Sequence, residues 1–256
     1  MTVTLVPERL ARLDTITLDK GSHESPEQGM CFIEFADWLA GGKGRDNAPT
    51  VSPVIRSFGI AVNDAWSEPQ RQKLRPFGPR IIGTAGDGQD EARSYLALDW
   101  LVRTYTPAWL DLAGLTVEAR ELRDLRRIVD LVAAQAAGPV VRNSREKAAV
   151  AWDAAGAAAG AAARDDAWDA AWAAAGAAAG EAAWDAAWDA AGDAAGDAAW
   201  AAAGAAARDA ARDAAGAAAR AAARDAAWAA LQPTVATLQA SALDLLEAMV
   251  DPSAVA

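Results

Sequence analysis

His23 and Cys31 are the only histidine and the only cysteine of the chain, and Glu34 follows Cys31 by about one helical turn. These are the residue types of a thiol nucleophile, its base and the carboxylate that orients the base. The stretch Gly21-Ser22-His23-Glu24-Ser25-Pro26-Glu27-Gln28-Gly29-Met30-Cys31 sets the histidine in a loop and the cysteine beyond a helix start. Ser25, Pro26 and Gln28 have the order of an N-cap, a first-turn proline and a capping-box partner. A cysteine in the first two turns of that helix feels the positive end of its dipole, which lowers a thiol pKa. His23, folding back from the loop, is then within reach to act as base. The catalytic set expected is His23, Cys31 and Glu34. The competing reading is structural: Cys31 packs in the core while His23 and Glu34 hold the loop by hydrogen bonds. With Asp37 these residues also offer donor types that suit zinc, but the spacing matches no familiar zinc site. No metal site is assigned, and the sequence names no cofactor.

The elements that must position this set are helices. Pro7 to Leu13 reads as a short first helix and Thr15 to Leu18 as extended chain. The helix opened at Ser25 is expected to run through Cys31, Ile33, Phe35 and Trp38 and to stop at Gly41-Gly42. Ser52-Pro53 opens a second helix to about Trp66, and Ser67 through Gln70 opens a short one toward Leu74. Gly83 to Gly88 is glycine-rich but lacks both the Lys-Ser/Thr ending of a P-loop and the G-x-G-x-x-G order, so it reads as a flexible turn. Tyr95, Leu98, Leu101, Val102 and Tyr105 have helical spacing. Thr106-Pro107 then reads as the cap of a separate short helix that ends at Gly114. Thr116 is expected to open a long helix carrying Leu122, Leu125, Val129 and Val132, terminated by Gly138-Pro139. No stretch alternates as a strand does, so the fold class expected is all-α.

From Ala151 to Ala230 the chain becomes a four-residue repeat whose variable site, Trp152 and every fourth residue to Trp228, holds only Trp, Gly or Arg. Almost every other position is Ala or Asp. Alanine dominance and the absence of proline favour helix, although glycine at eight of the twenty variable sites weakens it. Four residues advance about 400°, so the Trp/Gly/Arg ridge drifts by roughly 40° per tetrad and circles the helix in about 36 residues. No single apolar stripe results, and the period suits no coiled-coil seam. The tryptophans must therefore find shelter in shorter pieces or against neighbouring helices. Residues 152 to 199 carry nine acids against one arginine, whereas 200 to 231 carry three acids and four arginines, which allows antiparallel pairing within or between chains. The same alphabet is what a drifting twelve-nucleotide unit would write, so the repeat can also be an accretion.

Three regions are expected: a helical globular domain over 1–147, the Ala-rich repeat over 148–231 and an amphipathic helix over 232–256. That last helix follows Pro233, carries Leu238, Leu245 and Met249, and is suited to cover exposed core. The formal net charge of −11 resides mostly in the repeat, and an acidic chain lacks the basic face that nucleic acid requires. No apolar window reaches the ~20 residues of a membrane span. A single cysteine and no evident signal peptide fit a reducing cytoplasm.

Gly21-Ser22-His23 with Ser25-Pro26-Glu27, Gly29-Met30-Cys31 with Glu34, and Trp38-Leu39-Ala40-Gly41 resemble a family of uncharacterised proteins of actinobacteria and their phages. So do Asp99-Trp100-Leu101-Val102-Arg103 and Tyr105-Thr106-Pro107-Ala108-Trp109-Leu110-Asp111-Leu112-Ala113-Gly114-Leu115, and so does the Ala-rich tail. The resemblance brings no activity with it. It leads one to look for a second Cys or His near Asp46 to Ser52, where this chain has none. The function expected is structural or interaction-mediating, with the repeat as a helical scaffold or self-assembly region and a homo-oligomer through the repeat as its partner. The alternative is a small enzyme using the Cys31/His23 pair.

Overall fold

Apolar spacing and capping residues build a series of short helices around one core, and the computed structural model describes them over residues 5–150 and 229–255. The order is α1 (Pro7–Leu10), α2 (Phe32–Leu39), α3 (Pro53–Ala65), α4 (Glu68–Arg71), α5 (Asp90–Trp100), α6 (Thr106–Leu112) and α7 (Thr116–Arg123). Two further helices follow, α8 over 131–150 and α9 over 229–250. No strand occurs among the described residues, so the described chain is all-α. The chain divides into two units, residues 1–145 with 234–256, and residues 146–233. The tetrad repeat between 151 and 228 lies outside the described residues, and with it the expectations of its helicity, close helix approach and pairing.

In the first unit, α2 is the buried centre. All eight of its residues are buried, and Phe32, Ile33, Phe35 and Leu39 are completely so. Each such side chain contributes about 1.5–3 kcal/mol on leaving water. Around them lie Leu18, Ile55, Leu74 and Ile81, together with Leu245, Leu246 and Met249 from α9. Helix α9 is thus part of the core that α2 centres. Trp100 Nε1–H donates to Ser241 Oγ at 2.9 Å, and Arg80 pairs with Glu247, adding polar ties to the same helix. Where α3 crosses α2 the backbones come close. A Cβ on Gly59 would lie 2.9 Å from the Phe32 ring, so the smallest residue is needed there.

Helix α3 begins and ends where its sequence says, with Ser52 Oγ accepting from Val54 N–H, Pro53 in the first turn and Trp66 as C-cap. Other boundaries differ from expectation for identifiable reasons. The short helix expected at Thr106-Pro107 is α6, with Pro107 in its first turn, but it is not capped there, because α5 runs into it through a π-helical turn at Leu101–Tyr105. Pro107 has no N–H to give. The Leu101 carbonyl is served by both the Thr106 N–H and the Thr106 hydroxyl, the latter at 2.8 Å. Along this stretch Phe58, Trp100, Tyr105 and Trp109 touch in sequence, with ring centroids 5.9, 5.2 and 6.1 Å apart.

The long helix expected from Thr116 to Gly138 breaks after Arg123. Asp99 Oδ1 accepts the Ile128 N–H at 2.8 Å, and the Ile128 side chain is buried, so the chain is drawn out of helix there. Asp130 restarts it, its carboxylate accepting from Ala133 N–H at 2.7 Å as an N-cap. Gly138-Pro139 then lies inside α8 rather than ending it. Ala137 and Ser144, about two turns apart on one face of that helix, are both buried.

Candidate functional site: a buried carboxylate between His23 and Cys31

The helix that carries the candidate residues starts later than Ser25. Gly29 sits at φ +139°, a conformation no helix accommodates, and Ser25 to Gln28 form a turn instead. The N-cap of α2 is Cys31, and its capping-box partner is Glu34. Gly29 is also required for room, since a Cβ there would lie 2.8 Å from His23 Nε2. The imidazole therefore lies directly over the backbone that leads into α2.

Glu34 is 1 % exposed and gathers three N–H groups. Oε1 accepts from the His23 backbone at 2.7 Å, and Oε2 accepts from the Cys31 backbone at 2.7 Å. His23 Nδ1 lies 2.8 Å from the same Oε2. A carboxylate only accepts, so Nδ1 carries the proton, and Nε2 is left facing Asp19 Oδ2 at 3.8 Å. His23 and Glu34, expected to meet, are in hydrogen-bond contact. Asp19 and Asn63 complete the arrangement and were not legible in advance. Asn63 accepts from Phe32 N–H at 3.1 Å and donates to the Asp19 carbonyl at 2.9 Å. A buried asparagine in the last turn of α3 is the signal that marks it, because an unpaired amide there would be costly.

Cys31 occupies a different role from the one expected of a nucleophile. Its Sγ accepts from Glu34 N–H at 3.5 Å, and the residue is 3 % exposed. Burial first, and then the negative charge of Glu34, push the thiol up to about 12, overcoming the opposing backbone bonds from Glu34 and Ile33. The lowering expected from the helix N-terminus is thus reversed, because a buried thiol beside a carboxylate loses more as an anion than the dipole returns. Among the described residues no hydrogen bond joins this thiol to His23. Asp37, the fourth residue considered for zinc, is bound elsewhere, its Oδ2 accepting from the Gly44 and Arg45 backbones at 3.0 Å each. Among the described residues no three His, Cys, Asp or Glu side chains are grouped as metal ligands.

No family model, curated protein or solved structure matches the chain. The site is read from its own geometry, and that geometry is closed. Glu34 holds a loop, a ring and a helix start together, in the manner of a buried anion satisfied by local donors.

A second polar cluster escaped the sequence reading altogether. Arg93 is fully buried, and its Nε donates to the Met249 carbonyl at 2.8 Å. Its two terminal nitrogens reach Asp87 Oδ1 and Oδ2 at 2.7 and 2.5 Å, a bidentate pair. Asp90 lies 3.3 Å from the same guanidinium and also receives the Ser52 hydroxyl. The Gly83 to Gly88 turn is thereby pinned at Asp87, and the Gly83 and Ala85 N–H groups both donate to the Thr50 carbonyl. The Arg93 bond holds Asp87 below the usual carboxylate range.

Proposed function

We propose that this is a structural or interaction-mediating protein. In this reading the unit built from 1–145 and 234–256 is the globular part of the protein, and the repeat acts as a helical scaffold and self-assembly region. The observation that carries the reading is the occupation of Glu34. The one histidine and one cysteine of the chain are spent on it, in a loop closure that leaves the thiol protonated at neutral pH. The placement of α9 supports it too, because residues that precede and residues that follow the repeat in sequence share one core. The partner is a second copy of the chain, and nucleic acid is not among the partners. No helix of the described residues is long and apolar enough to cross a membrane, and with its single free, buried cysteine we place the protein in the cytoplasm.

The rival reading, a small enzyme using His23 and Cys31, draws on the Glu34 to His23 bond, which fixes the ring tautomer as in a base-orienting dyad. Two measurements separate them. Sedimentation of the full chain and of a variant lacking residues 168–199 is expected to show weaker self-association in the shortened chain, and equal association in both would overturn the scaffold reading. Iodoacetamide at neutral pH is expected to label Cys31 slowly in the folded protein. Rapid labelling that disappears in His23→Ala would favour the enzyme.

A further inference from the structure

Asp87-Gly88 is the one Asp-Gly step of the chain, which has no Asn-Gly. It falls where the Arg93 fork grips the turn, and two separate requirements put it there. Gly88 sits at φ +80°, a conformation that L side chains rarely adopt, so the turn selects glycine. Arg93 is fully buried, so it selects at position 87 a carboxylate that takes both terminal nitrogens, at 2.7 and 2.5 Å. Together they write a dipeptide whose backbone reacts readily with its own side chain, because glycine adds no bulk beside the attacking amide. A Cβ on Gly88 would meet nothing within 4 Å, and the Asp87 side chain is 30 % exposed, so water has access to both.

The reaction is an internal condensation. The Gly88 amide nitrogen, giving up its proton, bonds to Asp87 Cγ while a C–O bond of the neutral carboxyl breaks, and that oxygen leaves as water. The cyclic imide then takes up one water. Opening at Cγ restores aspartate. Opening at the backbone carbonyl leaves the chain running through Cβ and Cγ, with the carboxylate directly on Cα. One water leaves and one returns, and nothing is oxidised or reduced. The fold opposes this step at a single group. Both Asp87 oxygens lie on the guanidinium, and Oδ1 also accepts the Gln89 N–H at 2.9 Å. The Arg93 bond keeps the carboxyl ionised, and the anion offers no leaving group. We propose that Asp87-Gly88 is a latent isomerisation site that Arg93 holds closed, and that its conversion to the isoaspartyl linkage frees α9 from α5. The shortened carboxylate no longer matches the fork, and a buried guanidinium without that partner destabilises the tie to Met249 made by the same side chain. The step needs no enzyme and does not depend on what the repeat does.

The full chain is kept at neutral pH for several weeks in water labelled with heavy oxygen, then digested in ordinary water. The tryptic peptide 81–93 is followed by chromatography and mass spectrometry. An isoaspartyl form carrying one heavy oxygen is expected to accumulate at least about tenfold more slowly in folded wild type than in the same chain in guanidinium chloride. Arg93→Lys keeps the charge but loses the fork, and is expected to speed conversion about tenfold under native conditions. Leu246→Ala loosens the same core but leaves the guanidinium in place, and should speed it less. Aged wild type is expected to show a second, faster amide-exchanging population in residues 243–250, as large as its isoaspartyl fraction. Equal conversion in folded and denatured wild type overturns the proposal, whatever Arg93→Lys does to the fold. So does an Arg93→Lys chain, still folded by circular dichroism, that converts no faster than Leu246→Ala. Exchange in residues 243–250 that stays uniform in isomerised material overturns the release of α9.

Discussion

Glu34 and Arg93 are enclosed side chains of opposite charge in one helical unit, and their partners come from very different distances along the chain. Glu34 takes N–H groups from residues 23 and 31, so its network is complete within one loop and one helix turn. Arg93 takes Asp87 and Asp90 from its own neighbourhood but also the Met249 carbonyl, 156 residues away. The first closes a loop. The second ties α5 to the end of α9 and so holds together the two stretches of chain that flank the repeat. A buried charge can serve either end, and which one it serves is decided by how far away its counter-groups lie in sequence.

Breaking the long-range network should cost most. Arg93→Met removes the guanidinium donors of the Met249 carbonyl and of Asp87, leaving Asp87 only the Gln89 N–H, and is expected to lower unfolding free energy by about 3–5 kcal/mol in urea titration. The same variant should lose part of its acid sensitivity. Asp87 is held low in the fold, so its contribution is present above the ordinary carboxylate range and is lost as pH falls from there through the lowered folded value. An Arg93→Met protein whose stability falls with acid as steeply as wild type would contradict that assignment. Glu34→Gln comes next, at about 1–3 kcal/mol, because an amide oxygen still accepts but its NH₂ faces donors. Its effect should appear as faster amide exchange at His23 and Cys31, with α9 unaffected.

Cys31→Ser is expected to cost only about 1 kcal/mol, since a serine oxygen caps α2 at least as well while losing the apolar fit. Alkaline titration sharpens the point. The unfolded thiol ionises near ~8.5 whereas the folded one holds its proton to about 12, so the contribution is full below the first value and is lost as pH rises toward the second. Wild type should therefore weaken over that window more than Cys31→Ser. The smallest effect belongs to the exposed Arg80–Glu247 pair, where Arg80→Ala is expected to change stability by less than about 1 kcal/mol.

What was legible in the sequence follows the same division between local and distant. Helix α3 was readable end to end because Ser52, Pro53 and the apolar spacing up to Trp66 are all local signals. The His23–Glu34 pair was readable because one turn and one loop connect them. The start of α2 was misplaced because Ser25-Pro26 imitates a cap, while the deciding feature is the conformation at Gly29. The break after Arg123 depends on Asp99, and the pinning of the Gly83 to Gly88 turn depends on Arg93. Neither side chain carries a local sequence signal of these contacts, which depend on neighbours in space.

The return of α9 to the core of residues 1–145 also bears on how the protein is made. Leu245, Leu246 and Met249 leave the ribosome after every tetrad has been synthesised, so a chain interrupted or shifted in frame within the repeat has an open core and no means of closing it. A single-nucleotide slip anywhere in the tract replaces the residues that complete this core, whereas adding or losing whole tetrads keeps them in frame.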